Sequence, residues 1–235
     1  MLYLLPNLLG LCPPERVLPA ETIALTRTLR HFVVETPKAA RAFLGTLGMP
    51  VPLRELNLMP IAEQPFAEVK KLWLGHAAVG LLSDAGCPGV ADPGAALVSL
   101  AHHNNIKVVP LVGPSSILLG LMASGMNGQH FTFHGYLPQD KHLLSQRLRE
   151  LSDKIRQQGS TELFIETPYR HASLLQTLLT QVDPELCLCI AQGLTTEAEK
   201  IRSAPIKNWQ THHVEKFLNK TPSLFLLGKT PSKQS

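Results

Sequence analysis

The strongest constraint on the fold of this chain is an alternation. Short apolar runs recur along it, and each gives way to a longer stretch with helical spacing. Leu2–Leu5, His31–Glu35, Val79–Ser83 and Lys107–Val112 read as strands, rich in branched and apolar residues. Between them Glu21–Arg30, Pro37–Leu47, Phe66–His76 and Ala95–Asn104 read as helices. Pro37 suits a first helical turn, where its missing N–H is an orphan anyway. Continuous apolar strands separated by helices imply an α/β architecture whose mostly parallel sheet is covered on both faces. After Gly113-Pro114 the pattern restarts. A helix is expected over Ser115–Ser124, with either serine as its N-cap. Strands follow at His130–Tyr136, Thr161–Glu166, Glu185–Ala191 and Ser223–Leu227, with helices near His142–Gln158 and His171–Gln181. The expectation is two lobes, 1–113 and 114–235, without repeats of solenoid period and with a loose tail over Thr230–Ser235.

Composition narrows the classes of function. Hydrophobic residues make up 44% and charged residues 17%, too apolar for a disordered chain. Basic residues number 22 and acidic residues 18, a thin net +4, with 9 basic and 8 acidic in residues 1–112 and 13 and 10 in residues 113–235. RNA is permitted by that charge but not announced by it, since a protein driven by phosphate contacts usually clusters its excess. Val108–Gln139 lacks any formally charged residue and is long enough to span a bilayer. Pro110, Gly113, Pro114, Ser115 and Ser116, then Asn127-Gly128-Gln129, would expose polar groups to lipid, so no membrane segment is expected. Cys12, Cys87, Cys187 and Cys189 form no CxxC pair, and Met1–Leu11 lacks the basic start of a secretory signal. A reducing, cytoplasmic setting is expected. The histidines are scattered: His102-His103 and His212-His213 look solvated, His134 looks like a satisfied core residue, and no metal is assigned.

Three strand-end segments are the places for chemistry. Ser83–Gly94 (SDAGCPGVADPG) joins a strand to a helix, where ligands of parallel sheets bind. Its glycines let backbone amides approach a ligand, and Asp84 or Asp92 can accept from hydroxyl or amino groups. It is neither a dinucleotide turn nor a phosphate cradle, and its acids would repel phosphate. The plainer alternative is a connection whose aspartates cap backbone amides. Leu111–Ile117 (LVGPSSI) could hold a carboxylate on hydroxyls and helical N–H groups, but it fails as a nucleophile elbow, so capping serines are the alternative. Phe164–Arg170 (FIETPYR) offers Glu166 and Arg170 as an internal ion pair, or Arg170 as a phosphate contact.

In this order, the three segments resemble the tetrapyrrole methylase superfamily, the class III S-adenosylmethionine-dependent methyltransferases. Within it they are most similar to the ribosomal RNA small-subunit methyltransferase I group, which methylates a cytidine ribose 2′-oxygen. SDAGCPGVADPG and VVPLVGPSSILLGLMASG match long, specific stretches, FTFHGYLP and FIETPYR shorter ones, and Gln192–Glu199 (QGLTTEAE) a looser one. The resemblance implies two α/β lobes with S-adenosylmethionine in the cleft between them, and a homodimer. It implies cofactor contacts from Asp84, Ala85, Gly86, Val90, Ser115 and Ser116, then Thr167, Pro168, Ala191, Gln192, Pro222 and Ser223. Departures fall at Leu5–Gly10, Glu35–Lys38, Gly193 and Thr195-Thr196, in segments expected to contact substrate.

A ribose hydroxyl is a poor nucleophile and wants a base beside it, for which Glu35, Asp92 and Glu166 are the candidates. Arg41, Arg147, Arg170 and Arg202 are the basic residues expected near RNA phosphates. The expected function is methylation of ribosomal RNA. A tetrapyrrole or other small-molecule acceptor, a catalytically silent cofactor-binding module, and a metal-dependent hydrolase using Asp84 and Asp92 are the alternatives.

Overall fold

A computed structural model describes residues 1–209, 218 and 221–230. His212, His213 and residues 231–235 of the expected tail lie outside the described residues. The chain divides into two compact units, Met1–Ser115 and Ser116–Ser235.

In the first unit, strands β1 (Leu2–Leu5), β2 (His31–Val34), β3 (Asn57–Pro60), β4 (Val79–Leu82) and β5 (Val108–Pro110) alternate with helices α1 (Ala20–Thr28), α2 (Pro37–Thr46), α3 (Phe66–Leu74) and α4 (Ala95–His103). The sheet is wholly parallel, in the order β3-β2-β4-β1-β5. Alternation of side chains along β2 feeds two cores. Phe32 and Val34 pack with Leu5, Leu18, Phe43 and Leu44 on one face. Val33 packs with Leu2, Met59, Val69, Trp73 and Leu97 on the other. The connection after β1 runs through α1 to β2, and the one after β4 runs through α4 to β5, so the two leave in opposite directions. The carboxyl ends of β1 and β4 therefore form a topological switch point, where open α/β sheets bind ligands.

In the second unit, α5 (Ser116–Ser124) leads into β6 (Phe131–Tyr136), α6 (Lys141–Gln158), β7 (Thr161–Glu166), α7 (His171–Gln181), β8 (Cys187–Gln192), β9 (Lys200–Pro205) and β10 (Ser223–Gly228). The sheet runs β6-β7-β10-β8-β9. Only β6 and β7 pair in parallel; β10 is antiparallel to both its neighbours, and β9 to β8, so this sheet is mixed. Phe164 and Phe225 stack at 5.7 Å across β7 and β10, in a core with Leu148, Ile155, Leu178 and Ile190. All four cysteines are free thiols. No described helix is long and apolar enough to cross a membrane, the uncharged stretch after Val108 being broken by loops around the short α5.

Two strands escape the sequence pattern, β3 and β9. Both are sheet edges, and their residues, Asn57–Pro60 and Lys200–Pro205, lack the continuous apolar run of a central strand. Prolines sit at the last position of each, where a lost ladder donor costs least.

Candidate functional site

At the carboxyl ends of β1, β2 and β4 three loops are laced together. Asn7, directly after β1, is 4% exposed. Its side-chain amide donates to the carbonyls of Ser83 and Asp84, each at 3.0 Å, and its Oδ1 accepts from the Leu8 amide at 2.7 Å. Its own backbone N–H donates to the Gly86 carbonyl at 2.8 Å. Gly86 takes φ +66°, a left-handed conformation that a side chain would strain, and its backbone pairs with Asn7. The Ser83–Gly94 loop is thus pinned on its strand-proximal side. Its far side meets the second bend, where the Cys87 thiol lies 3.4 Å from the Pro114 carbonyl.

Three carboxylates gather at this bend. Glu35 Oε2 accepts from the Asp84 amide at 3.0 Å, while Asp84 Oδ1 accepts from the Thr36 amide at 3.1 Å and its hydroxyl at 2.9 Å. Thr36 also caps α2 through Ala39 N–H. Asp92 is pushed above the ordinary carboxylate range, first by burial and then by repulsion from Glu35 and Asp84, against a hydrogen bond from Ser83. Burial and the Asp92 charge also push the Cys87 thiol up. None of the three carboxylates has an ion pair among the described residues. Asp84, Ala85 and Val90 are exposed, whereas Gly86 is buried. Asp84 holds one backbone N–H, that of Thr36, together with the Thr36 hydroxyl, and the residue is exposed.

In the second unit, Glu166, Ser223 and Gln192 occupy one register line across β7, β10 and β8. All three are buried. Gln192 donates to Ser223 Oγ at 2.5 Å. Glu166 Oε1 accepts from the Thr167 amide at 2.8 Å, and Arg170 lies 3.2 Å from Oε2. The internal ion pair expected for Glu166 and Arg170 is present. Pro168 opens a 3-10 turn, Pro168–Arg170, next to this row; Ala191 is buried in β8 and Pro222 is exposed.

Of the four arginines, three are held within their own unit. Arg147 Nη1 donates to Glu150 and its Nη2 to His134 Nδ1, both at 2.9 Å. Arg170 Nη2 donates to the Pro138 carbonyl at 3.1 Å. Arg202 donates to the Asn208 carbonyl and lies 4.6 Å from the centre of the Trp209 ring. Arg41, on α2, is exposed.

Two positions that sequence reasoning treated only as departures prove structural to the site. Asn7 stands in the altered first segment and Thr36 in the second, and each grips the SDAG loop. Thr195 is a third. This β-branched residue follows β8 with φ +71°, and its hydroxyl is buried without a hydrogen-bond partner. No group of His, Cys, Asp or Glu suited to a metal ion occurs among the described residues.

Two α/β units with laced loops at the carboxyl ends of a parallel sheet define a class. The model of the tetrapyrrole (corrin/porphyrin) methylases matches residues 21–210, and the chain belongs to that family. Among curated relatives it is 34% identical over 154 residues to the ribosomal RNA small subunit methyltransferase I of Vibrio cholerae, covering 66% of this chain and 52% of that protein. It is 32% identical over 189 residues to the protein of that name from Xylella fastidiosa, covering 80% of this chain and 67% of the relative. The chain thus spans about half to two thirds of these relatives. The fold is that of the uroporphyrin-III-C-methyltransferase of Thermus thermophilus, with TM-score 0.58, 18% identity, and 97% and 94% of the two chains covered. It is likewise that of the methyltransferase CobJ, with TM-score 0.61, 18% identity, and 94% and 92% covered.

Proposed function

We propose that this chain is an S-adenosylmethionine-dependent methyltransferase acting on a cytidine ribose 2′-oxygen of small-subunit ribosomal RNA, as a cytoplasmic homodimer. The observation that carries the donor assignment is the acidic, cation-free bend at the switch point of the first sheet. S-adenosylmethionine presents a sulfonium cation, an ammonium and ribose hydroxyls, and that bend offers carboxylates without counter-ions beside exposed backbone at Asp84 and Ala85. A phosphate-bearing cofactor would be repelled there. The relatives carry the acceptor assignment.

When bound, the cofactor supplies an electrophilic methyl group that needs no further activation. The protein is left with alignment, exclusion of water and removal of one proton. In the first unit Asp84, Ala85, Gly86, Val90 and Ser115 are the proposed cofactor contacts, held in place by Asn7 and Thr36. In the second unit Ser116, Thr167, Pro168, Ala191, Gln192, Pro222 and Ser223 are proposed. Of the three base candidates, Glu166 is sequestered with Arg170, and Glu35 is engaged by the Asp84 amide. Asp92 is pushed above the ordinary carboxylate range and stands beside this bend, so its carboxylate is the proposed acceptor of the ribose hydroxyl proton. Arg41 is the proposed phosphate contact of the first unit; Arg147, Arg170 and Arg202 act as braces.

Thermal denaturation with added S-adenosylmethionine tests the donor. At one hundred times Kd the folded state gains about 2.7 kcal/mol, which raises Tm by roughly 5 °C or more. No shift at millimolar ligand defeats the proposal. Transfer of a radiolabelled methyl group to small ribosomal subunits, naked RNA and a tetrapyrrole panel then decides the acceptor. Labelling of a tetrapyrrole alone would replace RNA, and binding without transfer would mark a silent module.

A further inference from the structure

The second unit carries two tyrosines on rigid mounts at the same end of adjacent parallel strands. Tyr136 ends β6 and is 59% exposed. The pairing of β6 with β7 shifts register between Phe133 and Tyr136, at Gly135 with φ +65°. A bulge of this kind re-aims the side chain that follows it. Nothing crowds Gly135, so its glycine serves the backbone angle and not a close packing. Tyr169 sits in the Pro168–Arg170 turn after β7 and is 78% exposed. The turn is anchored by the residue beside it. Arg170 reaches Glu166 at 3.2 Å and the Pro138 carbonyl at 3.1 Å, tying the turn to the segment that leaves Tyr136. Neither tyrosine hydroxyl has a hydrogen-bond partner among the described residues.

We propose that Tyr136 and Tyr169 form a stacking platform for unpaired nucleobases, with Lys141 and Arg149 on α6 taking phosphates of the same strand. The proposal rests on RNA as the acceptor. Exposed, preorganised aromatic rings beside cations are the means by which proteins hold single-stranded nucleic acid, because every base has a face to stack and every nucleotide a charge. The charge balance favours that occupant. Asp140 caps α6 by accepting from the Leu143 amide, and Glu150 is neutralised by Arg147. Lys141 and Arg149, both exposed, have no ion pair among the described residues. A protein partner would want continuous apolar contact, yet the exposed residues between the tyrosine and the helix are Gln139 and Asp140, and the helix opens on exposed Lys141 and His142.

Fluorescence anisotropy of the full chain with a labelled RNA of about 12 nucleotides, single-stranded and as a duplex, tests this. Tyr136→Ala and Tyr169→Ala should each weaken single-strand binding about tenfold, while Tyr136→Phe and Tyr169→Phe stay within about twofold because the ring is kept. Duplex affinity should not move. Lys141→Gln should lower the salt slope by about one. Alanine variants within twofold of wild type would overturn the platform, as would phenylalanine variants as weak as alanine ones, or equal losses on duplex. Unchanged Tm guards against misfolding. If the wild-type chain methylates RNA and the alanine variants do so equally well, the platform alone fails. If the wild-type chain neither binds nor methylates RNA, the acceptor assignment fails and the platform falls with it.

Discussion

Acidic side chains are handled in opposite ways in the two units. At the strand ends of the first, Glu35, Asp84 and Asp92 crowd together without cations, and Asp92 resists ionisation. Inside the second, one carboxylate, Glu162, is fully buried at the start of β7. It accepts from His134 Nε2 at 2.5 Å, from Lys154 at 3.2 Å and from the Ser160 hydroxyl. Arg147 can only donate, so His134 Nδ1 is the acceptor in that contact and Nε2–H is the donor to Glu162. Burial opposes the charge of Glu162, but the hydrogen bonds from His134, Ser160 and Lys154 outweigh it and hold the carboxyl below its ordinary range. A satisfied buried charge fastens β6 and α6 to β7 and is available to no ligand. A cluster of like charges left near solvent without cations costs stability through mutual repulsion, and a bound cation would relieve it.

The largest effect should come from the satisfied charge. Glu162→Gln leaves His134 and Lys154 facing an amide, and breaking a buried pair costs about 3 kcal/mol, or roughly 6–12 °C in Tm. Affinity for S-adenosylmethionine should not change once the chain is folded. A variant that keeps its Tm but loses cofactor affinity, by calorimetry, would reverse the roles given to the two regions. The pH dependence has the matching sign. Because the folded-state pKa is lowered, the contribution of Glu162 is complete above its unfolded value near 4.3 and is lost as pH falls through the folded one.

The next effect belongs to the unsatisfied cluster. Asp84→Ala removes one carboxylate and releases Thr36, so cofactor affinity should fall about tenfold, near 1.4 kcal/mol. Arg170→Ala, which loosens the turn beside Thr167 and Pro168 in the other unit, should weaken it less than Asp84→Ala does. Titration calorimetry on both variants checks the order, and the reverse order would place the donor site elsewhere.

How much of this was legible beforehand follows from sheet position. The bounds of β1 and of Thr161–Glu166 are legible because branched, aromatic and other apolar residues dominate both, even though the second carries the buried Glu162. The edge strands β3 and β9 were invisible for the converse reason. At the site, glycine, proline and aspartate spacing exposed the SDAG loop at once. Asn7 and Thr36 stayed hidden because their partners are set by strand order. β4 lies between β1 and β2, a neighbour relation that sequence order conceals. Thr195 carried no local signal either, since a threonine gives no warning of a positive φ.

The smallest shift is the most diagnostic of the comparison. Asp92 has a raised folded-state pKa, so at neutral pH its ionisation costs the folded chain stability, and the cost disappears as pH falls and the carboxyl takes up a proton. Asp92→Asn removes the charge while keeping the shape. It should therefore raise Tm at pH 7 by roughly 1–3 °C, and the gain should shrink toward zero as pH approaches the ordinary aspartate range, in the same interval where wild-type Glu162 begins to lose its contribution. Saturating S-adenosylmethionine should also shrink the gain, because a bound cation relieves the repulsion that the substitution removes. Denaturation scans of both proteins at several pH values, with and without ligand, make the test. A destabilised Asp92→Asn at pH 7 would mean that the cluster is already compensated, and the contrast between the two regions would vanish.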